Sequence, residues 1–398
     1  MSHEPLTLFL EINNFHYIYC VGESDKNNNF KLIFKLDVPI KGIRNNRITD
    51  FDIVFNSIKE NIFLLEQKFN YTFREITLIL ENFDPTFINL TGFKRLNGSQ
   101  ILKENITYIL NDLRSYLDQV ELKKKIIHIF NSKFYLDNKE IENLPIGLFG
   151  DMYAHELSFI LINDNDFKNL NNILDKCNLK LKKILIKSFI EGAHVIKKYT
   201  DVNSFLQIHL YENHSKILYF ENNSFKFEQS FNFGNDIIIR DISKVVSLKK
   251  DTIKNILKQC YFNSDLQEDD LIEKDFFKDE PYRKIRKRLI FEIADARIKE
   301  LSNKILFKNV NLNNNSKKKL ATYLTMVDYS QFFGLKDLFI ANFSTNNASS
   351  IQIIQNAPYE ELIGGANEIV HFGWNKEAIP FTQSKKTIIA KFFDLIFN

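Results

Sequence analysis

Leu6-Thr7-Leu8-Phe9-Leu10-Glu11-Ile12-Asn13-Asn14-Phe15-His16-Tyr17-Ile18-Tyr19-Cys20-Val21-Gly22-Glu23 is the stretch whose reading decides the fold. Apolar residues dominate 6–12 and 17–21, and Asn13-Asn14 between them suits a tight turn, so the stretch reads as two paired strands. A third strand is expected at 30–36. Thr49 and Asp50 then offer an N-cap to a helix running to Phe69, with Val54, Ile58, Ile62, Leu65 and Phe69 at helical spacing. A strand at 76–80 follows, giving the order strand, strand, strand, helix, strand.

The same order restarts at Ser204. Strands are expected at 205–210, 217–220 and 224–231, and helices at 237–246, at 251–260 and, started by Pro281, up to about residue 307. A strand at 321–325 and a helix after Gly334 close this part. Two halves with one element order suggest an internal duplication, although no identity between them is visible. Within the first half, Pro85, Gly92 and Gly98 break the pattern. A helix over 100–117, short strands at 126–130 and 134–136, a turn at 144–147 and an apolar strand at 157–162 read as a compact insertion. Helices at 166–177 and 190–199 flank a strand near 183–186.

These residues resemble the family of the bacterial cell-division protein FtsA, in the actin, hexokinase and heat-shock-70 fold group. Leu10-Glu11-Ile12-Asn13-Asn14 ending in Val21-Gly22-Glu23 is similar to the family's opening strand and turn. In the insertion, His128-Ile129, Tyr135-x-Asp137 and Asn143-x-Pro145-Ile146-Gly147-x-x-Gly150 resemble the series that marks the FtsA-specific subdomain. Gly234 with Asp241-Ile242, and Glu292 with Arg297 and Glu300, match later positions. The resemblance spans about residues 6–373 and implies an α/β, actin-like two-domain fold with duplicated ribonuclease-H-like halves and an SHS2-type inserted subdomain. On it, 1–82 and 164–201 form the first half (1A), 83–163 the insertion (1C), 202–245 and 318–375 the second half (2A), 246–317 subdomain 2B, and 376–398 a linker with a terminal amphipathic helix.

The resemblance also implies ATP and Mg as cofactors, and the nucleotide motifs depart from it. The second phosphate loop, rich in glycine and aspartate in the family, maps to His209-Leu210-Tyr211-Glu212-Asn213-His214-Ser215-Lys216. Such loops need glycine where backbone N–H groups approach phosphate closely. Tyr211 and Glu212 bring bulk and negative charge instead. The first loop keeps an acid, Glu11, but has Asn13 for glycine. The adenosine motif corresponds to Leu324-Thr325-Met326-Val327 running to Gly334-Leu335, without its glycine pair. Asn255 replaces the ribose-side acid, while Lys258, Arg297 and Glu300 keep polar character. Glu11, Asn13, Lys258, Arg297 and Glu300 are therefore the degenerate nucleotide positions, and weak or absent ATP binding is expected, with no enzymatic step. Asparagine tolerates the left-handed backbone region, so Asn13 is the residue that could stand in for glycine.

Composition fits this reading. Glycine accounts for 12 of 398 residues, about 3% against roughly 7% in average proteins, which disfavours glycine-loop chemistry in general. Lys+Arg 53 against Asp+Glu 50 leaves a net charge of +3 and argues against bulk nucleic-acid binding. Cys20, Cys177 and Cys260 lie singly, as expected of a reducing compartment without zinc or disulfide scaffolds. No metal-binding His or Cys spacing occurs, and no apolar run approaches the length of a membrane span.

Two segments suggest partners. Tyr282-Arg283-Lys284-Ile285-Arg286-Lys287-Arg288 is the densest basic run. It reads either as the solvated face of a helix whose Ile285, Leu289, Ile293 and Leu301 pack inward, or, on the resemblance, as a docking site for the acidic and apolar C-terminal peptide of the tubulin-like FtsZ through Arg283, Lys284, Arg286, Lys287 and Arg288. After a linker at 380–386, Ile388, Ile389, Phe392, Phe393, Leu395 and Ile396 fall on one helical face behind Lys385 and Lys386. That pattern suits an anionic bilayer surface, or else a protein groove. The expected function is a scaffold on the cytoplasmic side of the bacterial inner membrane at the division site, binding FtsZ, lipid, other divisome proteins and copies of itself. The alternatives are an actin-like type IV pilus assembly scaffold and an FtsA that retains ATP-dependent polymerisation.

Overall fold

A computed structural model describes residues 6–25, 30–81, 83–263, 265–277, 280–313, 320–326, 329–344 and 348–378. The chain forms two compact units: Met1–Asn203 with Glu221–Lys226 and Ala357–Asn398, and Ser204–Phe220 with Phe227–Asn356, each as far as it is described. Ala357 onward groups with the first unit, whereas the sequence reading sets 318–375 together in the second half.

The first unit opens with β1 (Leu6–Ile12), β2 (His16–Ser24) and β3 (Phe30–Pro39), an antiparallel meander, and a small hairpin of β4 (Ile43–Arg44) and β5 (Arg47–Ile48). α1 (Phe51–Phe69) is capped by the Asp50 side chain accepting from Ile53 N–H, and it buries Val54, Ile58, Ile62 and Leu65, as the spacing predicts. β6 (Glu75–Leu80) pairs in parallel with β1. β7 (Thr86–Arg95) is a strand the sequence reading passed over, because Gly92 and Pro85 look like breakers. Gly92 is required there because a Cβ would lie 2.4 Å from Ile109 Cγ2. Ile109 lies on α2 (Lys103–Val120). β8 (Lys124–Leu136) is one long strand where two short ones were expected; its partner shifts register twice, which breaks the apolar pattern. β9 (Lys139–Ile141) and β10 (Met152–Asn163) complete a separate four-stranded sheet, ordered β7-β10-β8-β9, with α2 packed on it. α3 (Asp164–Lys176), β11 (Lys180–Ile186) and α4 (Lys187–Lys198) follow. β11 joins β6, giving the five-stranded order β11-β6-β1-β2-β3.

The second unit repeats that plan. β12 (Phe205–Leu210), β13 (Ser215–Glu221) and β14 (Ser224–Phe231) form a meander; α5 (Asp236–Val246), α6 (Lys250–Gln259), α7 (Lys287–Ser302) and the short α8 (Val310–Asn313) follow. β15 (Leu320–Met326) lies parallel to β12, and after α9 (Lys336–Phe343) comes β16 (Ala348–Ile353), giving the order β14-β13-β12-β15-β16. The last helix described, α10 (Tyr359–Phe372), belongs to the first unit; it and β16 were not anticipated. The helix expected to start at Pro281 starts six residues later, at Lys287, because the Ile272 N–H bond to Ile285 C=O and the Arg286 bridge to Leu271 keep the residues just before it out of the helix.

Glycine scarcity has a backbone answer. Of eleven non-glycine residues with positive φ among the described residues, eight are asparagine. Asn45-Asn46, Asp137-Asn138 and Asn222-Asn223 form the two-residue turns of three hairpins, where Asn-Gly would be usual.

Candidate functional site

The turn joining β12 to β13 is the position of the expected second phosphate loop. Tyr211 N–H donates to His214 C=O at 3.0 Å, and the two rings stack with centroids 4.2 Å apart. The turn carbonyls then take up the first amides of α5: Asn235 N–H bonds Tyr211 C=O at 2.9 Å and Asp236 N–H bonds Glu212 C=O at 3.0 Å. Helix N-terminal amides are what an anion would use, and these two are already occupied. Gly234 is needed for this close approach, since a Cβ would lie 2.2 Å from the Tyr211 carbonyl oxygen. Its retention therefore follows from backbone packing. Asp236, nearly buried, is neutralised by Lys250 at 3.1 Å and by Arg240 at 2.8 Å. Behind the turn, His209 Nδ1 lies 2.8 Å from Thr325 Oγ1, and Met326 is buried.

The first loop is tied up within its own unit. Asn13 does not adopt the left-handed conformation; its Oδ1 accepts from Phe15 and His16 N–H. Glu11, 2% exposed, meets Lys187 Nζ at 2.7 Å, and Lys187 also reaches Glu81 at 2.9 Å. Tyr359 Oη donates to the other oxygen of Glu11 at 2.9 Å. Burial opposes the charge on Lys187, but Glu81, Glu11 and Glu191 outweigh it and hold its ammonium above the usual lysine range. Burial and Glu11 push the Tyr359 phenol up, so it stays protonated and able to donate. Lys187, Glu81 and Tyr359 were not picked out from sequence; nothing in their spacing ties them to Glu11.

The remaining nucleotide positions are solvent-facing. Lys258 is exposed on α6. Arg297 pairs with Asp241 and Glu300, and Lys304 reaches Glu300 at 2.6 Å, a surface ion network. Each unit, taken alone, thus spends the groups that would hold phosphate on internal bonds, and the residues present do not fit ATP with Mg. Among the described residues no group of three or more His, Cys, Asp or Glu could hold a metal ion.

The basic run builds a different feature. Arg286 is extended and bridged to Leu271, and Lys287 N–H bonds Asp270 C=O at 2.8 Å. Three of the five cations, Lys284, Arg286 and Arg288, line a groove of about 420 Å³ whose apolar part is Val246, Ile285 and Leu289. Ile285 and Val246 are buried, while Leu289, expected to pack inward, is 39% exposed and Ile290 takes its place. Glu268 and Glu292 sit on the rim; Arg288 reaches Glu292 at 3.3 Å, and Arg286 and Arg288 each reach the exposed Glu268 at 3.8 Å. Pairs this open hold weakly and can exchange. Lys287 turns away toward Glu273 at 3.8 Å, and Arg283 does not line the groove and has Glu280 as a charged neighbour.

The membrane-binding residues expected from sequence, Lys385, Lys386, Ile388, Ile389, Phe392, Phe393 and Ile396, lie outside the described residues. Among the described residues no helix is long and apolar enough to cross a membrane. The root of that segment is well defined. Asn131 N–H bonds Lys376 C=O and Ala378 N–H bonds Ile129 C=O, both at 2.7 Å, which adds 376–378 to the free edge of β8. Between them the Glu377 carboxylate is buried, with Lys183 Nζ at 2.5 Å and His128 Nδ1 at 2.9 Å. Burial pushes the Glu377 carboxyl up, but Lys183 and His128 outweigh it and hold it below the usual range; burial keeps His128 below the usual histidine range.

A β-meander followed by strand and helix units, present twice, defines an actin-like α/β protein. Among solved structures, the PilM-PilN type IV pilus biogenesis complex superposes with a TM-score of 0.50 at 10% identity, covering 92% of this chain and 97% of that one, a likeness of fold. In sequence, the chain is a divergent FtsA-like protein. It is 22% identical over 251 residues to cell division protein FtsA of Buchnera aphidicola subsp. Acyrthosiphon pisum (strain APS), a match covering 63% of this chain and 60% of that protein. It is 17% identical over 304 residues to cell division protein FtsA of Escherichia coli (strain K12), covering 76% and 72%. The match therefore spans less than two thirds of the first of these relatives. No family model matches the chain.

Proposed function

We propose that the chain is a cell-division scaffold that binds the acidic, apolar C-terminal peptide of FtsZ, tethers FtsZ filaments to the cytoplasmic face of the inner membrane through residues 385–398, and gathers other divisome proteins and further copies of itself. The observation that carries this reading is the groove in the second unit, where Lys284, Arg286 and Arg288 surround an apolar floor. Such a groove suits a short peptide that brings both carboxylates and apolar anchors. Residues 83–163 act as the inserted subdomain that faces partners, and the work is multivalent binding without ATP hydrolysis or any other chemical step. The fold likeness to the pilus complex does not extend to pilus assembly, and the occupied amides of α5 disfavour ATP-dependent polymerisation.

The experiment is an anisotropy titration of a labelled FtsZ C-terminal peptide. Arg286→Glu with Arg288→Glu is expected to weaken binding about tenfold or more, equivalent to about 1.4 kcal/mol or more. Equal affinity for the variant and the parent would return the basic run to a solvated surface.

A further inference from the structure

A second groove, wholly within the first unit, runs between α4 and α10. It measures about 1030 Å³ and is lined by Ala193, Ile196, Gly364, Gly365, Phe372 and Trp374, among others. Its α10 side is bare: a Cβ at Gly364 or Gly365 would meet no heavy atom within 4 Å, and Phe372 is 52% exposed. Two contacts link its walls, the Lys197–Glu368 ion pair at 2.6 Å and His194 Nε2 at 3.6 Å from Glu361, with burial holding the imidazole below the usual histidine range; neither is strong enough to hold it shut.

We propose that this groove receives residues 387–398 of the same chain whenever no membrane is present, so that docking on the protein and docking on lipid compete. This inference rests on the reading of that segment as a membrane anchor. Three observations select this occupant. First, the described chain stops at Ala378, clasped to β8, and Trp374 and Asn375 just before it line the groove. The eight residues 379–386 can span up to about 28 Å, which is ample reach, and a tether this short gives millimolar effective concentration. Second, the lengths match. Residues 387–396 as a helix measure about 15 Å, against about 21 Å for the fourteen residues of α10. Third, the charges match. Glu360 and Glu361 on the α10 side face the segment's Lys385, Lys386 and Lys391, which surround its apolar face of Ile388, Ile389, Phe392, Phe393 and Ile396, while Glu368 is matched by Lys197 on α4, beside Lys198.

The competition has a size. If nine molecules in ten are docked, apparent affinity for a vesicle falls tenfold relative to a free anchor. Cis docking therefore works as a threshold: a single molecule binds lipid weakly, and anything that occupies the groove frees the anchor.

Trp374 is the chain's only tryptophan and sits in the groove, half-buried, so the native protein carries its own reporter. Deleting 387–398 is expected to raise acrylamide quenching of Trp374 about twofold, and phosphatidylglycerol vesicles should do the same to the full chain but not to the deletion. Gly365→Leu, which fills the groove without a clash, should strengthen vesicle binding of the full chain about three- to tenfold. Unchanged Trp374 quenching on deletion overturns the inference. A deletion effect that appears only as protein concentration rises overturns it in favour of a second copy as occupant. Vesicle binding without any change at Trp374 leaves the membrane anchor standing and sinks the docking. A change at Trp374 in a full chain that binds no vesicle keeps the docking and sinks the anchor.

Discussion

Lys187 Nζ lies 2.7 Å from Glu11 Oε1 at the mouth of the first β-meander, and the same ammonium reaches Glu81, the residue that follows the parallel neighbour strand β6. A single cation closes the gap between two strand-end carboxylates that would otherwise repel. Lys187→Met is expected to destabilise the first unit by about 2–4 kcal/mol, because it leaves Glu11 buried without a counter-charge. Urea unfolding followed by circular dichroism checks this, and Glu11→Gln added to Lys187→Met should recover part of the loss. Because the folded pKa of Lys187 is raised, its contribution is complete below the unfolded value of about 10.4 and is lost only as pH climbs through the folded one, so it is intact at neutral pH.

Glu377→Gln tests the clasp on β8. The substitution keeps the shape and leaves the Lys183 charge buried beside a neutral amide, at a cost of about 3 kcal/mol or more. Hydrogen exchange at the amides of Asn131 and Ala378 should accelerate about a hundredfold, while exchange in the second unit stays the same. Unchanged protection at those two amides would mean that the edge pairing holds without the carboxylate.

The four-stranded sheet carries an acid sensitivity. His155 is fully buried in β10 against Phe134 and Tyr153, with Glu156 and Lys376 as its charged neighbours, and burial lowers its pKa to about 3. A depressed folded pKa means that stability is complete above the unfolded value of about 6.5 and drains away as pH falls toward the folded one. From pH 7 to pH 5 the loss attributable to His155 is about 2 kcal/mol. His155→Leu should reduce the acid slope in thermal melts by that amount and leave the share of the buried His128 on β8, with little change at pH 7; an unaltered slope would assign the sensitivity elsewhere.

Gly234→Ala should lower stability of the second unit by about 1–3 kcal/mol, since the new methyl group would press on the carbonyls of Tyr211 and Glu212. Differential scanning calorimetry would register this as a drop of several degrees. If the variant melts with the parent, the turn carbonyls are not held by α5 as described.

The repeated meander was legible in the sequence because those strands combine apolar runs with asparagine turns, and α1 was legible because Val54, Ile58, Ile62 and Leu65 keep helical spacing. β7 was not, since a glycine that marks a breaker in isolation is here the close approach to Ile109. The start of α7 was missed because Pro281 is a good helix starter locally, while a backbone bond from Ile272 to Ile285 keeps the residues before Lys287 out of the helix. Of the basic run, composition gave the charge, but only folding sorts Lys284, Arg286 and Arg288 to the groove from Lys287 and Arg283 beside other acids. That residues 209–216 hold no glycine was readable residue by residue. That the freed amides of α5 would be taken by Tyr211 and Glu212 depends on tertiary geometry, and Glu377 joins Lys183 across 194 positions of chain, beyond any local pattern.

The clasp at 376–378 also fixes where mechanical load enters the fold. Tension arriving from the residues beyond Ala378 meets two backbone bonds to β8 and the Glu377 ion pair to Lys183 of β11 before it can reach α10. Under pull the first event is therefore local peeling of this short edge strand, whose rupture rate, rather than the equilibrium stability of the unit, sets how long an attachment lasts. A buried lysine and glutamate make a tear-strip with a built-in lifetime where the chain leaves Ala378.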